Sequence, residues 1–226
     1  MLKIHAGEVL LRSGWLSQTP KDFSDQIIAR SDLLEFRKGE SVYSAGDDSG
    51  GIFGLAVGSL EVHSMAPDGR PTLAHIGGPG FWIGDLAALT GRPRRLTMSA
   101  STDCRLLRLT RTALLGISEA EPANWRYFAL LMASNLALAI DIADALRRSD
   151  PVGRVAATVL NLTSRDAGNQ GTVTIAQSDI ASIAGLSRSA VNAAIRKLQR
   201  RGFIRIAYAS FEVLDREALE DFLRGL

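Results

Sequence analysis

Residues 175–206 restrict the fold of this 226-residue chain more than any other stretch, and they read IAQSDIASIAGLSRSAVNAAIRKLQRRGFIRI. Ile180 and Ile183 lie on one helical face, and Gly185 follows them as a residue that ends helices. Ser187 is placed to cap a second helix that begins one residue later. The segment therefore predicts two helices joined by a tight turn, which is a helix-turn-helix.

The second helix of this pair has one apolar and one polar face. Its inward positions are Val191, Ala194, Ile195 and Leu198. Arginine and asparagine on the outward face can read guanine and adenine in a DNA major groove, whereas Arg200 and Arg201 are better placed for phosphates. The residues that we expect to contact DNA are Arg188, Ser189, Asn192, Arg196, Arg200 and Arg201.

The distribution of charge supports a polyanion as the partner of this segment. The whole chain has a formal net charge of only +2. Between Asp179 and Glu212, however, there are six basic side chains and no acidic one. A solvated helix face is the alternative explanation, and the missing acids count against it. Two short β-type runs follow in residues 203–214, FIRIAYASFEVL, as a β-wing would.

The first half of the chain has a different texture. Residues 33–115 form short runs of Val, Ile, Leu and Thr that are separated by glycines such as Gly39, Gly58 and Gly80. Runs of this length predict a compact antiparallel barrel or roll. Cys104, the single cysteine, falls in one of these runs, where it is most simply a small buried apolar residue.

A long amphipathic helix is predicted between the two halves, from about residue 122 to 148. One stripe repeats at spacings of four and three: Trp125, Ala129, Met132, Leu136, Ala139, Ala143 and Leu146. A second stripe runs beside it: Phe128, Leu131, Asn135, Leu138 and Ile142. Two faces imply two partners, which are the β-domain of the same chain and an identical helix of a second subunit. A helix buried within a monomer is the alternative. Asp150-Pro151 ends the helix.

Several classes of protein are disfavoured by the composition. The N-terminus has no apolar core followed by a cleavage site, so we expect a cytoplasmic protein. The longest uncharged run, residues 127–140, is shorter than the ~20 residues of a membrane-spanning helix. One cysteine excludes an internal disulfide and argues against an iron-sulfur cluster. The three histidines, His5, His63 and His75, have no metal-ligand spacing, which argues against a β-roll metalloenzyme and for no enzymatic activity.

The order of β-roll, long helix and winged helix-turn-helix resembles the Crp/Fnr family of bacterial transcription regulators. The resemblance is carried by RKGESVYSAGD (37–47), VGSLEV (57–62), PGFWIGDLAAL (79–89) and SDIASIAGLSRSAVNAAIRKLQRRGFI (178–204). It implies an α+β chain with an N-terminal antiparallel, jelly-roll-like β-roll as sensor (1–120), a long dimerisation helix (121–149) and a C-terminal winged helix-turn-helix (150–226). It further implies a homodimer on a palindromic operator in double-stranded DNA, with RNA polymerase as a candidate further partner.

The family resemblance also places an effector pocket in residues 84–101, GDLAALTGRPRRLTMSAS. Cyclic-AMP-binding members carry Gly-Glu-Leu and, about ten residues later, Arg-Ser. Here the matching residues are Gly84, Asp85 and Leu86, then Arg95 and Leu96, with Arg94 beside them. Leu96 removes a hydroxyl and puts a bulky group where the phosphate would lie. Cyclic AMP and cyclic GMP are the candidate ligands, and a solvent-exposed basic turn is the alternative.

The recognition helix departs from the family as well. The activator pattern Arg-Glu-Thr-Val-x-Arg becomes RSAVNA at residues 188–193, so we expect a different operator. An alternative function is a cyclic-nucleotide-binding module that acts on a protein partner. That alternative leaves the basic recognition helix without a role.

Overall fold

The computed structural model describes residues 2–65, 69–163, 171–207 and 210–225. The helices are α1 (Leu2–Arg12), α2 (Lys21–Arg30), α3 (Asp85–Thr90), α4 (Arg111–Ala120), α5 (Trp125–Arg147), α6 (Pro151–Leu162), α7 (Gln177–Ala184), α8 (Arg188–Arg200) and α9 (Arg216–Arg224). The strands are β1 (Asp32–Phe36), β2 (Ser41–Tyr43), β3 (Gly51–Val57), β4 (Leu60–Met65), β5 (Pro71–Gly77), β6 (Trp82–Ile83), β7 (Thr97–Ala100), β8 (Cys104–Thr110), β9 (Thr172–Thr174), β10 (Ile204–Ala207) and β11 (Ser210–Val213).

The predicted β-roll is confirmed. It consists of two antiparallel four-stranded sheets, with strand orders β1-β8-β3-β6 and β2-β7-β4-β5. Helices α1 and α2 precede the roll and pack on it, because Leu10, Trp15 and Phe23 share a hydrophobic core with Leu107 of β8. Sequence analysis assigned this helical segment to the sensor domain without distinguishing it from the roll. Cys104 is buried, as expected, and burial raises the pKa of its thiol.

The long helix α5 begins at Trp125, after a short 3-10 turn at Pro122–Asn124, and ends at Arg147. Asp150 then caps α6, since its carboxylate accepts a hydrogen bond from the Gly153 backbone N–H at 2.8 Å. The predicted helix end at Asp150-Pro151 therefore lies between α5, which ends at Arg147, and α6, which Asp150 caps.

The apolar character of this helix exceeds what the sequence argument allowed for. By length and composition alone, the span Pro122–Arg147 would suffice to cross a membrane. The length of the fourteen-residue uncharged run was therefore too strict a test for a helix that could span a membrane. In the fold, Phe128 and Leu131 of α5 are buried in the same core as Trp15 and Leu107, so this face of the helix packs against the N-terminal β-roll domain.

The C-terminal domain packs α6, α7, α8 and α9 against a sheet of order β10-β11-β9. The hairpin β10-β11 is the predicted wing, whereas β9 was not predicted. Two residues of the roll, Leu73 and Ile76 of β5, are buried in the core of this domain. A turn signal at 67–70 and a loop at 165–171 lie largely outside the described residues.

Candidate DNA-binding surface and effector pocket

The turn between α7 and α8 is set by local sequence. Gly185 has φ 60° and ψ 41°, the left-handed conformation that glycine adopts most readily. The next residue, Leu186, donates its N–H to the Ala181 carbonyl at 3.0 Å, which completes a helix-ending motif. The Ser187 hydroxyl then accepts a hydrogen bond from the Ala190 N–H at 3.3 Å. Helix α8 consequently begins at Arg188, where the sequence placed it.

Helix α8 separates its two faces as predicted. Val191, Ala194, Ile195 and Leu198 are buried. Arg188, Ser189, Arg196, Arg200 and Arg201 are exposed, and Asn192 is half-buried. Among the described residues, the ion pairs include none with Arg188, Arg196 or Arg200. Their charges are therefore available to an external anion.

Two other basic residues of this domain have partners within the chain. The Arg201 guanidinium lies 4.6 Å from the centre of the Phe222 ring, which links the end of α8 to α9. Arg205 on β10 pairs with Glu212 on β11 across the wing, at 2.5 Å. These contacts orient both side chains at the edge of the basic surface. A phosphate would compete with the carboxylate of Glu212 for Arg205. Within the described part of the chain, no carboxylate pairs with Arg201.

The predicted dimer stripe is exposed along its whole length in the single chain. Its members are Trp125, Ala129, Met132, Leu136, Ala139, Ala143 and Leu146. The large ones are far from covered, with 41% of Trp125, 40% of Met132 and 60% of Leu136 exposed. In the second stripe Phe128 and Leu131 are buried against the sensor domain. The structure thus accounts for one of the two predicted faces and leaves the other open.

All six predicted effector residues line one cavity of about 60 Å³: Gly84, Asp85, Leu86, Arg94, Arg95 and Leu96. Tyr43, Ile83, Ala87 and Pro93 complete the lining. The residues come from the start of α3, the loop after it, and strands β2 and β6. The six predicted residues therefore lie together around one cavity.

Of the two arginines that line the cavity, Arg94 is the buried one. Its Nη1 donates to the Gly84 carbonyl at 3.1 Å and its Nη2 to the Gly51 carbonyl at 2.7 Å. The guanidinium carbon lies 4.3 Å from the centre of the Tyr43 ring. Its Nε has no hydrogen-bond partner among the described residues. Arg95 is exposed.

The backbone explains which arginine turns inward. The Arg94 N–H donates to the Asp47 carbonyl at 2.8 Å, and the Arg94 carbonyl accepts from the Gly46 N–H at 2.9 Å. These bonds fix Arg94 beneath Tyr43. Gly84 is needed at the other side because a Cβ there would lie 2.5 Å from Nη1 of Arg94, at a φ of 98°. Nothing in the local sequence reveals these partners.

Leu96 was predicted to place a bulky apolar group in the pocket. It is half-buried and packs against the inner core of the roll, which contains Leu55, Met98 and Leu106. It contributes to the cavity wall from this position. Leu96 and the Arg94 guanidinium therefore both line this cavity.

Asp85 faces the long helix. It is only 6% exposed, and its Oδ1 accepts a hydrogen bond from Nδ2 of Asn135 on α5 at 2.8 Å. The same Asn135 amide donates to the Trp82 carbonyl at 3.2 Å. Burial raises the pKa of Asp85, and the Asn135 hydrogen bond opposes that shift. Sequence analysis missed Asn135 as a site residue, although it was the one polar residue in an apolar stripe.

A cyclic nucleotide does not fit these residues as they are arranged. The cavity of about 60 Å³ is far smaller than the roughly 300–1,000 Å³ of ordinary ligand pockets. Both terminal amino groups of Arg94 are bonded to backbone carbonyls, and the Asp85 carboxylate is held by Asn135. Binding at this position would require Arg94 to release Gly84 or Gly51.

A β-roll sensor joined by a long helix to a winged helix-turn-helix defines the class of regulators in which a signal domain is coupled to a DNA-binding domain. The chain matches the cyclic nucleotide-binding domain family over residues 33–121 and the Crp-like helix-turn-helix domain family over residues 153–222. It belongs to the Crp/Fnr family of transcription regulators.

Similar proteins cover nearly the whole chain. The CRP-like cAMP-activated global transcriptional regulator of Mycobacterium tuberculosis is 27% identical over 94% of this chain and 97% of its own length. The cyclic AMP receptor protein of Thermus thermophilus is 26% identical over 84% of this chain and 88% of its own length. The structure of FixK2 from Bradyrhizobium japonicum has a TM-score of 0.72, with 21% identity over 84% of this chain and 96% of that one.

Proposed function

We propose that this protein is a homodimeric, sequence-specific DNA-binding transcription regulator that is controlled by a signal at its β-roll. The observation that carries the proposal is the exposed face of α8, where Arg188, Arg196 and Arg200 are free of internal ion pairs within the described residues. A charged face of this kind on a second helix of a helix-turn-helix suits the major groove, with Arg188 and Asn192 reading base edges.

The exposed stripe of α5 supports the homodimer. Helix α5 has 23 residues and is therefore about 35 Å long. A row of Trp, Met, Leu and Ala at heptad spacing along this length is the surface that an identical helix covers in a coiled coil. Two-fold symmetry would then present two α8 helices to a palindromic operator, with half-sites about one helical turn apart. Such a complex acts in the cytoplasm, where RNA polymerase is its further partner.

The β-roll is proposed as the signal domain because its pocket contacts α5 directly, through Asp85 and Asn135. Cyclic AMP and cyclic GMP are the ligands to test first, since a relative is described as cAMP-activated. The position of Arg94 argues against both. We therefore expect calorimetry to show no heat of binding with either nucleotide at micromolar concentration. Micromolar binding that is lost in Arg94→Met would instead identify a nucleotide sensor.

Selection of bound fragments from random duplex DNA tests the central proposal. The wild-type protein should enrich a two-fold symmetric sequence, and the same selection with cyclic AMP or cyclic GMP added should leave the enrichment unchanged. A matched control is Arg188→Ala combined with Arg196→Ala, which should enrich nothing. Wild-type protein that enriches no sequence, at salt concentrations where non-specific binding is weak, would contradict the proposed function.

A further inference from the structure

The connection between α5 and the DNA-binding domain is held by one arginine. The Nε of Arg154 on α6 donates to the Arg148 carbonyl at 2.9 Å, and its Nη2 donates to the same oxygen at 2.5 Å. Its Nη1 donates to the Ala184 carbonyl, at the end of α7, at the longer distance of 3.5 Å. Arg154 thus contacts the end of the dimer helix and the end of the first helix of the helix-turn-helix.

Both acceptors are at helix C-termini. Arg148 follows the last residue of α5, and Ala184 is the last residue of α7. Carbonyl groups at such ends lack partners within their own helix and carry partial negative charge. The half-buried guanidinium of Arg154 donates hydrogen bonds to the terminal carbonyl groups of both helices. Arg154 has no ion pair among the described residues.

The shape of the side chain matters as well as its charge. A guanidinium presents several N–H groups in one rigid plane, so bonds in two directions fix the angle between the groups that they join. Arg148 adds a second link of the same kind, since its Nη1 donates to the Leu223 carbonyl of α9 at 3.2 Å. The segment between α5 and α6 is consequently linked by hydrogen bonds to α7, through Arg154, and to α9, through Arg148.

We infer that Arg154 is a positioning residue for DNA recognition. It sets the angle between α5 and the helix-turn-helix, and through the two-fold axis of the dimer it sets the separation of the two α8 helices. This inference rests on the proposed dimeric regulator. Arg154 lies outside the predicted base-reading and phosphate-contacting residues, so its effect should fall on the spacing of half-sites and not on the recognition of one half-site.

The test uses the full-length protein and the operator obtained by selection. Duplexes carry the two half-sites at the selected spacing, or with one or two base pairs inserted, and a further duplex carries a single half-site. Each inserted base pair shifts one half-site by about 3.4 Å and rotates it by about 35°. Wild-type protein should therefore lose about 10-fold or more in affinity per inserted pair.

The variants Arg154→Gln and Arg154→Lys should flatten this dependence to within about 3-fold, and their affinity for the single half-site should stay within about 2-fold of wild type. Arg147→Gln is the matched control, because Arg147 is an exposed arginine at the end of α5. It should retain the wild-type spacing preference.

Three results would overturn the inference while leaving the proposed function intact. The first is an unchanged spacing preference in both Arg154 variants. The second is an equal loss of affinity for the single half-site, which would place the effect in the helix-turn-helix itself. The third is the loss of cooperative melting in both variants, which would make Arg154 a folding residue. Failure of the wild-type protein to select any operator would instead contradict the proposed function.

Discussion

The carboxylate of Asp85 and the side-chain amide of Asn135 are hydrogen-bonded at 2.8 Å, although the two residues lie fifty positions apart in the chain. One begins the short helix α3 of the pocket, and the other is in the middle of α5. The bond joins the candidate signal site to the helix that carries the candidate dimer surface.

Asp85→Asn should stabilise the folded protein at neutral pH. Burial raises the pKa of Asp85 in the folded state above its ordinary value of 3.8, so the folded protein holds a proton that the unfolded chain releases. The contribution of this protonated carboxyl to the free energy of unfolding is fully present below pH 3.8. It is lost as the pH rises through the pKa that Asp85 has in the folded protein. Thermal melting should show a higher Tm for the variant at pH 7 and convergence of the two proteins near pH 3.

Asp22→Asn, a change at an acidic residue in the first turn of α2, is the control for Asp85→Asn. It should not reproduce the increase in Tm at pH 7. A lower Tm for Asp85→Asn at neutral pH would mean that the charged carboxylate contributes more through Asn135 than its burial costs.

His75 should make the protein acid-sensitive. It is 3% exposed, its Nε2 has no hydrogen-bond partner among the described residues, and burial lowers its pKa from 6.5 to about 4. As the pH falls from 6.5 to 4, the unfolded chain takes up the proton first, so the free energy of unfolding should decrease by up to about 3 kcal/mol. Urea titrations between pH 4 and 7 measure this slope.

The variant His75→Phe should remove that part of the pH dependence, whereas His5→Gln, at an exposed histidine of α1, should keep it. Identical slopes for wild type and His75→Phe would show that His75 is hydrated in the folded protein.

Arg188→Ala should weaken binding to the selected operator by about 5- to 150-fold, which corresponds to ~1–3 kcal/mol, and should relax the preference at one base pair of each half-site. Fluorescence anisotropy with single-base operator variants measures both effects. Arg12→Ala removes the same charge from an exposed site on α1 and should change affinity by less than about 3-fold. An unchanged base preference in Arg188→Ala would contradict the assignment of α8.

Replacing both Met132 and Leu136 by Glu should convert the proposed dimer into a monomer, because four carboxylates would be buried at the centre of the seam without cationic partners. Sedimentation equilibrium should give the mass of one chain. Ala137→Glu, at an exposed position of α5 outside the seam, should remain a dimer. A dimeric double variant would show that the subunits associate elsewhere.

Arg94→Met should destabilise the N-terminal β-roll domain, since it removes the two buried hydrogen bonds that the charged guanidinium donates to the Gly84 and Gly51 carbonyls. The expected loss is about 2–3 kcal/mol. Arg95→Met, one residue away but exposed, should change stability by less than about 0.5 kcal/mol. Chemical denaturation compares the two, and a larger loss of stability in Arg95→Met than in Arg94→Met would contradict the assignment of the structural role to Arg94.

The features that the sequence predicted well are those specified by nearby residues. The end of α7 at Gly185, the cap at Ser187 and the start of α8 each depend on groups within four positions of one another. The same holds for Asp150, which ends one helix connection and caps the next.

The features that were missed depend on contacts between distant segments. Arg94 rather than Arg95 enters the pocket because Gly46 and Asp47, in a separate loop, bind its backbone. The partner of Asp85 lies on another helix. Strand β9 forms only because it can pair with β11, and its three residues carry too short a pattern to recognise alone.

Leu73 and Ile76 of strand β5 belong to the hydrophobic core of the DNA-binding domain, although the chain enters that domain only after residue 150. The sensor and the DNA-binding domain are therefore not interchangeable modules. A hybrid regulator that joins this helix-turn-helix domain to the β-roll of another protein would need an edge strand with apolar side chains that pack against α6 and α7. Without such a strand, the apolar surfaces that now pack together would be exposed on both domains.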